Sequence, residues 1–155
     1  MKWIRLVCMV VISLCAFTVY AQQPSKGTMD AVRDALKAQK KAFVGLNMQL
    51  TKEEDSKFWS VYDSYQKDLD AVNKKIADVI IDYVKNYEKM TDEKACKLIK
   101  SYLAAEGELL KLKESYLPKF SAVLSQKKVA RYYQLENKIQ AVIRYDLADE
   151  IPLVK

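Results

Sequence analysis

Apolar side chains recur along most of the chain at alternating intervals of three and four residues, which places them on one face of an α-helix. Glycine and proline, which interrupt helices, number only three each among 155 residues. Few segments alternate apolar and polar residues as a half-buried strand would. The pattern therefore predicts an all-α fold, an antiparallel bundle or hairpin of four helices with one long central helix.

The longest run of this pattern predicts a central helix over residues 52–87. Its apolar positions step by four and three in alternation, as in the seam of a coiled coil, and many of them are aromatic. The seam consists of Phe58, Tyr62, Tyr65, Leu69, Val72, Ile76, Val79 and Tyr83. Thr51 and Glu54 have the spacing of a capping box, in which the hydroxyl and the carboxylate each accept a hydrogen bond from a free backbone N–H. We therefore expect Thr51 to be the N-cap of this helix.

The segment before the central helix predicts a shorter helix over residues 28–44. We expect Gly45 to end it, because glycine is common just past the last turn of a helix. The expected buried face of this helix consists of Met29, Val32, Leu36 and Phe43.

A third helix is predicted to begin after its cap, Thr91, and to break or kink at Pro118, which lacks a backbone N–H. Gly107, inside this helix, either weakens it slightly or marks the close approach of another backbone. The apolar stripe of this helix consists of Ala95, Leu98, Tyr102, Ala105, Leu109, Leu112 and Tyr116.

A fourth helix is predicted from just after Ser125 to about Asp149. We expect Pro152 to prevent it from continuing. Its apolar stripe consists of Val129, Tyr132, Leu135, Ile139, Val142 and Ile143.

The first 21 residues have the composition of a secretory signal peptide. Lys2 and Arg5 form a short basic start, and an almost unbroken apolar run covers residues 6–17. Val19 and Ala21 then occupy the small-residue positions of a cleavage site, which predicts cleavage after Ala21. A permanent anchor is less favoured, because the apolar run is shorter than the roughly 20 residues that span a bilayer.

Cleavage after Ala21 would leave an exported protein. Residues 22–27 are expected to form a flexible N-terminal lead, and residues 28–155 a single helical domain. No stable membrane insertion is expected after cleavage, because the charges of the mature helices are balanced, unlike those of basic interfacial helices.

Composition narrows the possible chemistry of the mature chain. Loss of two basic residues with the signal peptide lowers the net charge from +6 to +4, and the interspersed charges argue against nucleic acid as a partner. The chain has no histidine, so we expect no metal site, no cofactor and no enzymatic activity. Cys96 would be the one mature cysteine, and we expect it to be buried as a small apolar residue rather than to act as a reactive thiol.

The aromatic side chains are the residues most open to interpretation. A helical stripe of aromatics is usually core, and most of these side chains are assigned there. Trp59 lies one residue off the seam that carries Phe58 and Tyr62, at an edge that a partner could reach. Trp59, Tyr62 and Tyr65 are therefore the candidate partner-binding residues.

Three short segments share one layout, an apolar residue followed by a hydroxyl residue and a polar first turn. They are LTKEE at 50–54, MTDEK at 90–94 and LSQKK at 124–128. The same N-cap chemistry at three helix starts explains this layout most simply.

A Leu-Thr-x-x-Gln/Glu element that opens a long helix, with a similar element opening the next, also resembles the Spy/CpxP family of periplasmic LTxxQ-motif proteins. The first element is matched by Leu50, Thr51 and Glu54, with glutamate in place of the usual glutamine. The second is matched by Met90 and Thr91, with lysine at the glutamine position. The blocks FWSVYDSYQ (58–66) and KKVARYYQLENKI (127–139) are similar to small secreted proteins associated with this family.

The resemblance implies an all-α hairpin of long helices, often paired into a cradle-shaped homodimer. It implies a periplasmic location and a role in envelope stress, either as an ATP-independent chaperone of unfolded envelope proteins or as an adaptor that damps a sensor kinase. Some relatives sense metals, but the absence of histidine argues against that role here.

Two functions therefore remain open. One is a Spy-like chaperone that holds unfolded chains on an apolar, basic-rimmed inner face. The other is a regulatory or structural partner of a single envelope protein, such as a sensor kinase domain. A homodimer is expected in either case, because helices of such unequal length leave apolar seam residues uncovered.

Overall fold

The computed structural model describes the backbone of residues 26–154 and the side chains of Ala31 and residues 34–154. This part of the chain forms four α-helices and no β-strand, which confirms the predicted all-α fold with a long central helix. The helices are α1 (Lys26–Met48), α2 (Lys52–Asn86), α3 (Asp92–Ser121) and α4 (Gln126–Glu150), and a short 3₁₀ helix (Tyr87–Lys89) follows α2. The predicted signal peptide and most of the predicted lead lie outside the described residues.

The chain divides into two compact units, Met1–Lys37 and Ala38–Lys155. The described part of the first unit is the beginning of α1, and the second unit holds the rest of α1 together with α2, α3 and α4. The single helical domain predicted over residues 28–155 did not include this boundary within α1. The side-chain contacts discussed below all lie within the second unit.

The capping box predicted at the start of α2 is present. The Thr51 hydroxyl accepts a hydrogen bond from the backbone N–H of Glu54 at 3.3 Å, and the Glu54 carboxylate accepts one from the backbone N–H of Thr51 at 2.9 Å. Glu53, Glu54 and Asp55 place negative charge in the first turn, where the helix dipole favours it. Together these contacts give the 35-residue helix α2 a defined start.

Helices α2 and α3 pack against each other as a hairpin. Thr91 caps α3 as predicted, since its hydroxyl accepts from the backbone N–H of Lys94 at 3.2 Å. The Tyr116 hydroxyl donates to Asp68 at 2.6 Å and joins the two helices at the far end of the hairpin from Thr91. A short connection between long helices leaves antiparallel packing as the natural arrangement.

The core contains aromatic side chains from three helices in mutual contact. Phe120 of α3 packs against Tyr132 of α4 with ring centroids 4.5 Å apart, and Phe58 of α2 meets Tyr132 edge to face at 5.4 Å. Such pairs contribute about 0.5–1.5 kcal/mol each beyond the burial of their area. The predicted seam positions that are buried in α2 are Phe58, Tyr62, Tyr65, Leu69 and Val72.

Two predictions for α1 are wrong. Gly45 lies inside the helix, which continues to Met48 and ends where Gln49 takes the left-handed conformation (φ 52°) that was expected of the glycine. Phe43, expected on the buried face, is exposed, whereas Val44 and Met48 are fully buried. Phe43 therefore lies on a different face of the helix from the one that packs on the core.

Leu36, another residue of the predicted buried face of α1, is also largely exposed. The side chains of Met29 and Val32 lie outside those that the structure describes. The predicted face of α1 is thus incorrect at both positions where it can be compared with the structure, Leu36 and Phe43.

The predicted break at Pro118 does not end α3, which continues to Ser121. The missing N–H of Pro118 deprives the Glu114 carbonyl of its helical donor, but Glu114 is exposed, so water can hydrate that carbonyl. One residue earlier, the Lys113 carbonyl accepts from the Tyr133 hydroxyl at 2.7 Å. The last turn is further fixed by Phe120, which is completely buried.

Cys96 is exposed, which contradicts the prediction that it is buried. It lies next to the buried stripe of α3 but on the solvent side, because the adjacent inward positions are taken by Ala95 and Leu98. Helix α4 follows its prediction at both ends, although Ser125 makes no side-chain capping bond. Val142 and Ile143 of its predicted stripe are exposed.

Candidate functional site

The first motif, LTKEE, has a structural role that reaches across the fold. Leu50 packs against the core, and Thr51 caps α2. Glu54, which occupies the glutamine position of the LTxxQ pattern, forms an ion pair with Lys128 of α4. The hydrogen bond from Lys128, together with the one from the Thr51 backbone, lowers the pKa of the Glu54 carboxyl. Lys128 is the fifth residue of the third motif, LSQKK, so these two motifs meet through their last residues.

The second motif lies near the other end of α2. Thr91 caps α3, Met90 is half-buried, and Lys94 forms an ion pair with Asp82 at 2.8 Å. The hydrogen bond from Lys94 lowers the pKa of Asp82. Asp82 is 28 residues beyond Glu54 in α2, or roughly 42 Å along the helix at 1.5 Å per residue. The structure therefore does not bring the three motifs together into one site.

The candidate partner-binding residues lie in or against the core. Tyr62 and Tyr65 are buried, and burial raises the pKa of both hydroxyls. The Tyr65 hydroxyl has no hydrogen-bond partner within the described part of the chain. In this structure neither tyrosine is open to a partner, because the aromatic core encloses both, which corrects the expectation from the sequence.

Trp59 is half-buried and held from several sides. Its Nε1–H donates to Asp55 at 2.8 Å, and the Lys41 ammonium lies 5.1 Å from the ring centroid. A Cβ added to Gly45 would lie 3.4 Å from Trp59 Cζ2, so the glycine leaves room for the indole. Trp59 of α2 thus contacts α1 through Lys41 and Gly45, and it remains partly exposed to solvent.

A buried polar cluster was not predicted from the sequence. Glu136 of α4 is 1% exposed and forms an ion pair with Lys40 of α1 at 2.6 Å. Gln66 of α2 donates to Glu136 and to the Tyr132 hydroxyl, both at 3.2 Å, and accepts from Lys40 at 2.8 Å. The sequence could have indicated its burial, since Glu136 follows Val129 and Tyr132 at the three- and four-residue spacing of the buried face.

Helix α3 carries a second apolar stripe that was not predicted, and it faces solvent. Ile99, Leu103, Leu110 and Leu117 are 52%, 60%, 58% and 47% exposed. Their spacing of four, seven and seven residues keeps them on one side of the helix. Each of them follows a residue of the predicted stripe by one position, so the sequence contained this signal as well. Ordered apolar surface of this kind is typical of an interaction site.

The exposed stripe borders an open groove between α3 and α4, with a volume of about 360 Å³. Leu109, Leu110 and Ala141 form its apolar part, and Lys113 and Arg144 place cationic groups at its edge. Arg144 also forms an ion pair with Glu106 across the groove at 2.8 Å. The groove thus combines an apolar floor with the Lys113 ammonium and the Glu106–Arg144 ion pair at its edge, and its lining includes no cysteine, serine or threonine that could act as a nucleophile.

The described residues contain no group of three or more cysteine, aspartate and glutamate side chains that could hold a metal ion. No helix within the same residues is both long enough and apolar enough to cross a membrane. Neither a family model, nor a curated protein, nor a solved structure matches the chain.

Proposed function

We propose that this protein is an exported, periplasmic binding protein that holds unfolded envelope proteins without ATP, on the apolar surface of α3 and its groove with α4. The observation that carries the proposal is the ordered stripe of exposed side chains on α3, of which Leu103 and Leu110 are the most exposed. These side chains do not contribute to the core. A patch of exposed apolar side chains is typical of a surface that contacts another chain.

The charges around the stripe support loose rather than permanent binding. Lys100, Lys111 and Lys113 lie among the exposed leucines of α3. Cationic side chains attract acidic segments over several ångströms and raise the rate of encounter. They also limit the contiguous apolar area, which keeps the affinity for any one client low.

The location of this activity rests on the sequence. The basic start, the apolar run and the small residues before Gln22 support export, and the resemblance to Spy/CpxP proteins supports a role in envelope stress. A chaperone that works outside the cytoplasm has no ATP supply, so it must act by binding and release alone.

The test is the aggregation of an unfolded client, followed by light scattering with and without purified mature protein. We expect a several-fold molar excess to suppress aggregation, and we expect the double variant Leu103→Ser/Leu110→Ser to lose most of that protection. Ile81→Ser/Val84→Ser, which removes exposed apolar side chains from α2, is the matched control and should protect as well as the unmodified protein. Circular dichroism should show the same helix content in all three proteins.

Unchanged aggregation at a several-fold excess of the unmodified protein would refute the chaperone proposal. A single saturable complex with one envelope protein, formed without protection of unrelated clients, would instead support a regulatory partner of that protein.

A further inference from the structure

The positive charge of the mature chain is concentrated in one segment. Residues 115–145 hold six basic residues and one acidic residue, Glu136, whereas the rest of residues 22–155 hold 18 basic and 19 acidic residues. Glu136 is buried and already paired with Lys40. The charge excess of the mature chain therefore lies in the last turns of α3 and in most of α4, and it is not spread evenly over the helices.

Three of these cations form a basic row, Lys127, Arg131 and Lys138, along the solvent side of α4. All three are exposed, and at 100° per residue they fall within about 40° of one another around the helix. The row is roughly 16 Å long at 1.5 Å per residue. Within the described part of the chain none of the three forms an ion pair. A row of cations without counter-charges attracts an anionic partner.

Exposed apolar side chains of α1 lie beside the basic row. The Arg131 guanidinium donates to the Asn47 carbonyl at 3.5 Å, which brings the end of α1 to α4. Leu46, the residue before Asn47, is 85% exposed. Phe43 is also exposed, and it lies three residues after Lys40 and four before Asn47, both of which contact α4. Helical spacing therefore places Phe43 on the side of α1 that is turned toward α4.

We propose that the α1–α4 surface, formed by Phe43, Leu46 and the basic row, binds the surface of a lipid bilayer that contains anionic phospholipids. The cations lie among the headgroup phosphates, and Phe43 and Leu46 enter the boundary between the headgroups and the acyl chains. Binding of this kind combines burial of apolar area with electrostatic attraction to anionic lipids. The protein then lies on the membrane and does not cross it.

A bilayer fits this surface better than a soluble anion does. The three cations are spread along α4 instead of converging on one point, which suits an extended layer of phosphates more than a single phosphate group. A soluble polyanion could pair with the basic row, but it would offer no apolar contact to Phe43 and Leu46. The α1–α4 surface shares no residue with the exposed stripe of α3, so this inference does not depend on the proposed chaperone function.

The first test is flotation of the mature protein with lipid vesicles. We expect binding to vesicles of phosphatidylglycerol and phosphatidylethanolamine, little binding to vesicles of phosphatidylcholine alone, and loss of binding as the salt concentration rises. Lys127→Gln/Lys138→Gln should weaken binding about tenfold, because each basic side chain near an anionic membrane adds to the attraction. Lys85→Gln/Lys89→Gln removes the same charge from exposed positions at the other end of α2 and should bind as the unmodified protein does.

The second test addresses the apolar contact. Leu46→Ser should weaken binding to the anionic vesicles severalfold, whereas Leu153→Ser, at an equally exposed position (87%), should not. In a Cys96→Ser background, an environment-sensitive fluorophore attached to Leu46→Cys should shift to the blue on vesicle binding, and the same label on Leu153→Cys should not. Circular dichroism of each variant without lipid should match that of the unmodified protein, since all of these positions are exposed.

Equal binding to anionic and phosphatidylcholine vesicles, or equal weakening by the two lysine double variants, would overturn the inference. So would displacement by inorganic phosphate at constant ionic strength, which would indicate a site for single phosphate groups. Binding to soluble polyphosphate with no blue shift on vesicles would assign the basic row to a polyanion and remove the bilayer. The aggregation assay without lipid separates the two proposals, because vesicle binding without client protection removes only the proposed function, and client protection without vesicle binding removes only this inference.

Discussion

At the scale of single residues, Glu136 is the residue that depends most on its neighbours for hydrogen bonds and charge pairing. Its carboxylate is nearly fully buried, and it accepts hydrogen bonds from side chains of three helices: Lys40, Gln66 and Gln140. A buried charge is tolerated only when it is paired and hydrogen-bonded, and removal of one partner strands the other. The cluster thus couples α1, α2 and α4 more specifically than apolar packing does.

We expect Glu136→Leu to lower the free energy of unfolding by about 3 kcal/mol, because it leaves the Lys40 ammonium mostly buried without its partner. The double variant Lys40→Met/Glu136→Leu should recover most of that loss, since apolar side chains of similar size can replace both charges. Urea unfolding of both proteins measures the difference. Equal losses in the single and double variants would show that the unpaired Lys40 ammonium is not the cause of the destabilisation.

The motif residues show what local sequence can and cannot predict. The capping roles of Thr51 and Thr91 follow from neighbours three residues away, and both were predicted correctly. The partner of Glu54 is Lys128, 74 residues further along the chain. No local rule pairs these two residues, because their proximity depends on where α4 packs.

At the scale of elements, the helices with continuous apolar seams were predicted well and α1 was not. Five seam positions of α2 are buried, since α2 packs against α3 along the hairpin and its aromatic positions also meet Tyr132 of α4. In α1 the apolar residues Phe43 and Val44 are adjacent, and only the position of the other helices decides that Val44 is buried and Phe43 exposed. The exposed stripe of α3 was missed for a related reason: periodicity reveals that a face is apolar, but not whether another element covers it.

Gly45 of α1 and Gly107 of α3 give a matched pair for a test at this scale. We expect Gly107→Ala to raise the stability of the monomer by about 0.5–1 kcal/mol, because alanine is the better helix former and its Cβ meets open space. Gly45→Ala should gain less, since its Cβ would lie 3.4 Å from the Trp59 ring. Thermal unfolding at low protein concentration, where dimers dissociate, measures both.

If Gly45→Ala stabilised the protein as much as Gly107→Ala, the indole of Trp59 would not be packed on Gly45 as the structure has it.

At the scale of the whole molecule, the described core contains four buried tyrosines. Burial raises the pKa of Tyr62, Tyr65 and Tyr132, and burial together with the hydrogen bond to Asp68 raises the pKa of Tyr116 to about 12. In the unfolded chain these groups would titrate near pH 10. The folded protein therefore retains protons that the unfolded chain has lost, and this difference couples folding to alkaline pH.

We expect stability to be nearly independent of these tyrosines below about pH 9 and to fall steadily above about pH 10, because there the unfolded state binds fewer protons than the folded state. Urea unfolding midpoints between pH 8 and about pH 12, with tyrosinate absorbance recorded on the same samples, measure the effect. The tyrosinate absorbance of the core residues should rise together with unfolding rather than before it. Tyr116→Phe removes one linked group and should make the decline shallower, even though it also removes the bond to Asp68. Full ionisation of the tyrosines near pH 10 in a chain that stays helical would contradict the burial of these hydroxyls, and with it the packing of α2, α3 and α4 around a common aromatic core.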